Sequence, residues 1–210
     1  KLGRAGSYAS LLFAADSSDA AISRFSQSIN ERLTDISTDL LFFGLELNRL
    51  EEADLQTKMQ DPALARWQPY LRDVRMYRPH QLGDDVEKVL LEKSVTGAQA
   101  WCRLFDETIA ALRVTVDGQT MPVGDALNRL SDTDRAVRER AGKAVGAVFE
   151  GNVRLFALIT NTLAKDKSIS DGLRQYARPT SSRNLSNMVE DGVVDALVSA
   201  VRTDYPRLSH

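Results

Sequence analysis

Between residues 17 and 49 the apolar side chains Ile22, Phe25, Ile29, Leu33, Ile36, Leu40, Phe43 and Leu47 recur at intervals of three or four residues. Only a helix brings residues so spaced to one face, because a strand would require strict alternation. The stripe predicts one helix of about 32 residues, roughly 48 Å long at its 1.5 Å rise per residue. Asp16, Ser17 and Ser18 stand before it and offer N-cap oxygens. A helix that long must be covered along one side by other helices, which commits the chain to a bundle or an extended helical lobe. A coiled-coil seam has the same period, but the flanking charges do not pair regularly, so intramolecular packing is the expected use.

The neighbouring segments read the same way. Asp61-Pro62 places proline at a helix start, where a missing N–H costs nothing. Leu64, Trp67, Leu71 and Val74 then make one face, with Pro69 starting or kinking a turn, until Arg78-Pro79 ends the stretch. Asp84-x-x-Glu87 has the form of a capping box, and Thr96 can cap a helix carrying Trp101, Leu104, Phe105 and Ile109. Residues 113–123 depart from this pattern, since Arg113–Met121 alternates around Asp117-Gly118 and predicts one small β-hairpin. An isolated hairpin is marginal, so this one must lean on helices. Ser131 or Asp132 is the expected cap of a second long helix containing Val137 through Leu163. Residues 165–183 read as irregular and 189–201 as a last helix. The expected fold is an all-α, multi-helix lobe with two long helices and the hairpin.

Charge and composition narrow the partners. The 210 residues carry 27 Lys and Arg against 29 Asp and Glu, a net charge of −2. That leaves no general basic field for nucleic acid or an anionic membrane, and neither is an expected partner. The apolar runs, such as Leu40–Phe43, are too short to cross a bilayer. One cysteine cannot form an internal disulfide, and no signal peptide is visible, which together suggest a cytoplasmic protein. The chain opens on Lys1 and stops at His210 without a helix-closing signal, so it is expected to be a truncated fragment of a longer protein.

Residues able to carry chemistry are few. The two histidines are His80 and His210, and H-E-x-x-H is absent, so no zinc site is expected within this chain. His80 reads as a boundary histidine bonded to a neighbouring helix, although a small hydrolase built on it is a conceivable alternative. Cys102, next to Trp101, reads as a buried core thiol. Gly142-x-x-x-Gly146 suggests a close helix approach. Six basic residues between Arg154 and Arg183 face only Asp166 and Asp171, whereas residues 31–61 hold eight acids and three bases. That asymmetry is either two solvated faces or a basic segment that meets an acidic partner or a substrate carboxylate.

Several phrases share a further property. Lys1-Leu2-Gly3-Arg4-Ala5-Gly6-Ser7-Tyr8-Ala9-Ser10 with Asp16, and Arg78-Pro79-His80-Gln81-Leu82 ahead of Glu87-Lys88-Val89-Leu90, form the first two. Ala100-Trp101 through Thr108, and Asn161–Lys167, come next. Arg174-Gln175-Tyr176 leading to Ser182-Arg183-Asn184-Leu185 and then Val193–Val198 completes the order. In sequence and spacing they resemble the amino-terminal helical region of oligoendopeptidase F-like zinc metallopeptidases, of the thimet-oligopeptidase-like clan. The resemblance implies that residues 1–210 are the non-catalytic lobe of a peptidase that hydrolyses short oligopeptides, forming one wall of its substrate channel. It implies that zinc belongs to a catalytic lobe outside this chain, which would be this lobe's partner. Tyr176, Arg178 and Arg183 are the candidate channel residues, and no catalytic or metal-binding residue is assigned. A stand-alone helical interaction domain with no enzymatic parent is the alternative.

Overall fold

The computed structural model describes residues 2–208, so Lys1 and the terminal His210 lie outside the described residues. Helices dominate: α1 (Leu2–Ala15), α2 (Ala20–Arg49), α3 (Glu52–Lys58), α4 (Gln68–Arg75), α5 (Asp84–Ser94), α6 (Ala98–Ala111), α7 (Val123–Asn128), α8 (Arg135–Gly151), α9 (Val153–Leu173), α10 (Ser181–Ser186) and α11 (Asp191–Leu208). Short 3-10 turns occupy Pro62–Trp67, Arg78–His80 and Arg129–Ser131. Strands β1 (Arg113–Val116) and β2 (Gln119–Pro122) pair antiparallel, with Val114 opposite Met121. The all-α architecture with one small hairpin is what the sequence predicts. The chain divides into two compact units, one of Lys1–Thr38 with Leu90–Asp166, the other of Asp39–Val89 with Lys167–His210.

In the first unit the hairpin is the centre of the core. Asp117 and Gly118 adopt φ of 52° and 79°, the left-handed pair that a two-residue turn matching strand twist requires. Val114 is fully buried and Val116 nearly so, packed with Val123 and Ala126 of α7 and Ala141 and Val145 of α8. The outward residues Thr115 and Thr120 join hydroxyls across the strands at 2.9 Å. Arg140 of α8 ties the turn down, its Nε donating to Asp117 at 2.7 Å. Ala9 of α1 is fully buried, and at Gly6 a Cβ would stand 3.0 Å from Leu33, so glycine lets α1 approach α2 closely.

In the second unit a largely shielded guanidinium closes the end of α2. Arg75 Nη1 donates to the carbonyls of Leu47, Asn48 and Leu50 at 3.0, 2.9 and 2.9 Å, groups that a helix C-terminus leaves without partners. Its Nη2 reaches Glu52 in the first turn of α3 at 2.8 Å. One side chain therefore fixes the α2–α3 corner against α4.

Several local expectations are corrected. The cap of α2 is Asp19, whose Oδ1 accepts from the N–H of Ala21 and Ile22, while Asp16 bonds Ser18 in the preceding turn. Glu87 accepts from the Leu82 N–H at 2.9 Å instead of closing a box on Asp84, which pairs with Arg49. Gly97 stands at the N-cap of α6, and the Thr96 hydroxyl donates backwards to Lys93. Asp134 caps α8 in place of Ser131 or Asp132. The second long helix breaks at Asn152, whose amide donates to the Val148 carbonyl at 2.9 Å and so competes with the helical ladder. Its continuation, α9, instead runs through Leu173, into the stretch expected to be irregular. Gly142 would meet Leu130 at an ordinary 3.7 Å and Gly146 meets nothing, so no close helix approach occurs there.

Candidate functional site

The end of α9 positions the first candidate residue. Gln175 adopts φ of 57°, the Gln175 N–H donates to Gly172 and the Tyr176 N–H to Asp171 at 3.0 Å. This pair of bonds is the Schellman closure of a helix, made with glutamine where glycine is usual. It projects Tyr176 onto His80, the rings stacking with centroids 3.9 Å apart and planes 21° from parallel. His80 Nδ1 donates to the Arg174 carbonyl at 2.8 Å. Arg174 answers with Nη1 donating to the His80 carbonyl at 3.1 Å. Its fork grips Glu87 at both oxygens, at 2.7 and 2.8 Å. Burial pushes the Glu87 carboxyl up, but the Arg174 bonds and the Leu82 N–H outweigh it and hold the group below the usual carboxylate range. His80 is thus the boundary histidine that the sequence suggested, bonded to the end of a neighbouring helix.

The other two candidates lie further along the same stretch. Arg178 is exposed and donates both arms to Asp195 of α11, at 2.9 and 2.8 Å. The same hydrogen bonds hold Asp195 below its ordinary carboxylate value. Asp191 accepts from Ser181 and Asn184, each at 2.7 Å, and these bonds lower its carboxyl in turn. Arg183 on α10 is exposed, and among the described residues its guanidinium makes no ion pair. Arg174 and Arg178 are therefore occupied by carboxylates of this chain, whereas Arg183 is open to an outside anion.

A cavity of about 420 Å³ adjoins the His80 network inside the second unit, walled by the end of α2, α4 and the 3-10 turn that carries His80. Asn48 and Gln81 line it, and each has a side-chain oxygen that is buried with no hydrogen-bond partner. Sequence reasoning missed both, since an unsatisfied amide has no signature in one dimension. Cys102 is also a correction: it is exposed, because its face of α6 borders a separate first-unit cavity of about 700 Å³ that Phe13, Gln27 and Asn30 also line. No three His, Cys, Asp or Glu side chains converge among the described residues as a metal requires, so these residues do not fit a zinc centre. No described helix is long and apolar enough to cross a membrane.

A family profile described as Oligopeptidase F matches residues 46–113. Group B oligopeptidase PepB of Streptococcus agalactiae serotype III is 22% identical over 208 residues, covering 96% of this chain and 35% of that protein. The crystal structure of oligoendopeptidase-F from Enterococcus faecium superposes with a TM-score of 0.84 at 22% identity, over 96% of this chain and 41% of that one. A putative peptidase from Chlamydophila abortus gives 0.66 at 18% identity, over 95% of this chain and 34% of that one. The chain thus spans about a third of the curated relative's length. The resemblance read from the sequence holds: the chain is similar, nearly end to end, to the amino-terminal portion of oligoendopeptidase F-type proteins.

Proposed function

We propose that residues 1–210 together form the non-catalytic amino-terminal lobe of a zinc endopeptidase that cuts short oligopeptides, and that this lobe is one wall of the substrate channel. The observation that carries the reading is the superposition over 96% of this chain on 41% of an oligoendopeptidase. The lobe's part is recognition and exclusion, with hydrolysis assigned to the remainder of the longer protein. Within the lobe, Arg183 is the channel residue best placed to hold a peptide carboxylate, because its five donors are not engaged by an acid of the described chain. Tyr176 offers a ring edge fixed by its stacking on His80. Arg178 serves by bracing the α10–α11 connection through Asp195.

The test uses the complete product of the source gene. It is expected to cleave a fluorogenic oligopeptide, to lose activity to a chelator and regain it with zinc, while the 210-residue chain alone does neither. Arg183→Ala in the complete protein should raise KM about tenfold with little change in kcat, the signature of a lost uniform binding contact. A reading frame that ends without H-E-x-x-H, with no peptide hydrolysis, would overturn the proposal in favour of a stand-alone interaction domain.

A further inference from the structure

The cavity of about 700 Å³ that Cys102 borders lies within the first unit, its wall shared by α1, α2 and α6. Helix α2 contributes Ser23, Ser26, Gln27 and Asn30 to the lining, and α6 contributes Gln99, Cys102, Arg103 and Asp106. Each set is spaced i, i+3, i+4 and i+7, so each is one face of its helix. Helices that pack only to bury apolar surface set apolar stripes against each other. Here both give a polar stripe to a shared space.

Ser26 shows that the space is made for a partner. It is 8% exposed, and its hydroxyl makes no hydrogen bond among the described residues. A helical serine or threonine commonly donates to the carbonyl four residues back, as Thr34 and Thr38 of the same helix do at 2.9 Å. Ser26 makes no such bond and borders the cavity instead. A hydroxyl so buried is costly to leave unpaired, so it marks a place for an outside polar atom.

Two charges of opposite sign share that lining. Among the described residues, Arg103 has Glu107 for its one ion pair, at a long 3.9 Å, and that Glu107 oxygen already accepts from the Ser23 hydroxyl at 2.9 Å. Asp106 stands three residues on along the same face, and among the described residues its carboxylate pairs with no cation. The two edge one cavity without neutralising each other. An anion alone would meet the repulsion of Asp106, and a cation alone that of Arg103. A ligand that carries both charges meets neither. Phe13, Val95 and Ile109 supply the apolar part of the wall.

We infer that this cavity binds a small zwitterion with an apolar side chain, its carboxylate held by Arg103, its ammonium by Asp106 and one of its polar atoms by Ser26. A free apolar amino acid and a short peptide with open ends share that chemistry. The inference goes beyond the peptidase reading and does not rest on it, since Tyr176, Arg178 and Arg183 all belong to the second unit.

Calorimetric titration of the 210-residue chain tests it with L-leucine, Leu-Gly-Gly, N-acetyl-L-leucine and L-leucinamide. At least one of the first two is expected to bind, and the singly charged N-acetyl-L-leucine and L-leucinamide each at least about tenfold more weakly. Whichever of L-leucine and Leu-Gly-Gly binds more tightly identifies the source as a free amino acid or a short peptide. Cys102 is the chain's one thiol, so its alkylation by iodoacetamide, followed by intact mass, locates the ligand: the zwitterion should slow it in a saturable way. Ser26→Ala should weaken binding about tenfold with unchanged circular dichroism, because alanine is the better helix former. Arg103→Gln and Asp106→Asn should each weaken it as well. No binding by either zwitterion, equal binding by a singly charged probe, binding that leaves Cys102 unprotected, or affinity unaltered in all three variants overturns the inference.

Discussion

At the scale of single residues, Glu87 and Arg174 make the second unit's most telling pair. Both side chains are largely shielded, at 11% and 26% exposed, so removing one leaves the other without its counter-charge. Glu87→Gln is expected to cost about 2 kcal/mol, below the penalty for a fully buried pair because water still reaches the guanidinium. The pH dependence follows from the depressed carboxyl. On unfolding Glu87 returns to its ordinary value near 4.3, so its contribution is complete above that pH and is lost as the pH falls through the lower folded value. Thermal midpoints of wild type and Glu87→Gln should accordingly differ at neutral pH and converge in acid; a constant gap would refute the assignment. Asp19→Ala should cost about 1 kcal/mol as a lost N-cap, read as a lower urea midpoint with unchanged slope. Neither Asp19 nor Glu87 was assigned its bonds from sequence. Four polar candidates stand between Asp16 and Asp19, and only the helix's true first turn selects among them.

Elements differ in how openly they announce themselves. The α2 stripe and the hairpin were legible because period and turn chemistry are local properties. Gly118 sits at φ 79° with nothing within 4 Å of its Cβ position, so Gly118→Ala is expected to cost about 1 kcal/mol through backbone conformation alone. Thermal denaturation would check it, and an unaltered midpoint would contradict the turn assignment. The ends of α9 and α10 were illegible for the converse reason. Gln175 and Met188 take left-handed φ of 57° and 54° in Schellman closures, at sites where glycine or asparagine would have been the readable sign. Resemblance singled out the His80 and Tyr176 phrases, about a hundred residues apart, but only the structure shows that they meet as a ring stack. Arg183 stays a proposal at every level, because an open guanidinium on a helix has no local signature of its use.

For the whole molecule, the most consequential surface is on α11. Val193, Leu197, Val201, Tyr205 and Leu208 recur three or four residues apart and are 45–78% exposed. A contiguous apolar stripe of this kind promotes association. The 210-residue chain should therefore self-associate with rising concentration in sedimentation runs, and Leu197→Glu with Val201→Glu should suppress it; identical profiles would show that the stripe is not the adhesive surface. The interleaving of the two units has a different consequence, one for biosynthesis. Each unit is assembled from two separated stretches of chain, and the second stretch of the one begins at Lys167, directly after Asp166 completes the other. During translation the first half of the second unit, residues 39–89, must wait while 77 further residues (90–166) are made. Its partners Arg174 and Tyr176, and the cavity-lining Met188, do not yet exist. Closing so long a loop adds little equilibrium cost, since each doubling of length costs only about 0.6 kcal/mol. The delay is one of timing: Glu87 and the His80 ring stay without Arg174 and Tyr176 on the nascent chain until those residues are synthesised, which makes this stretch the natural client of a ribosome-associated chaperone.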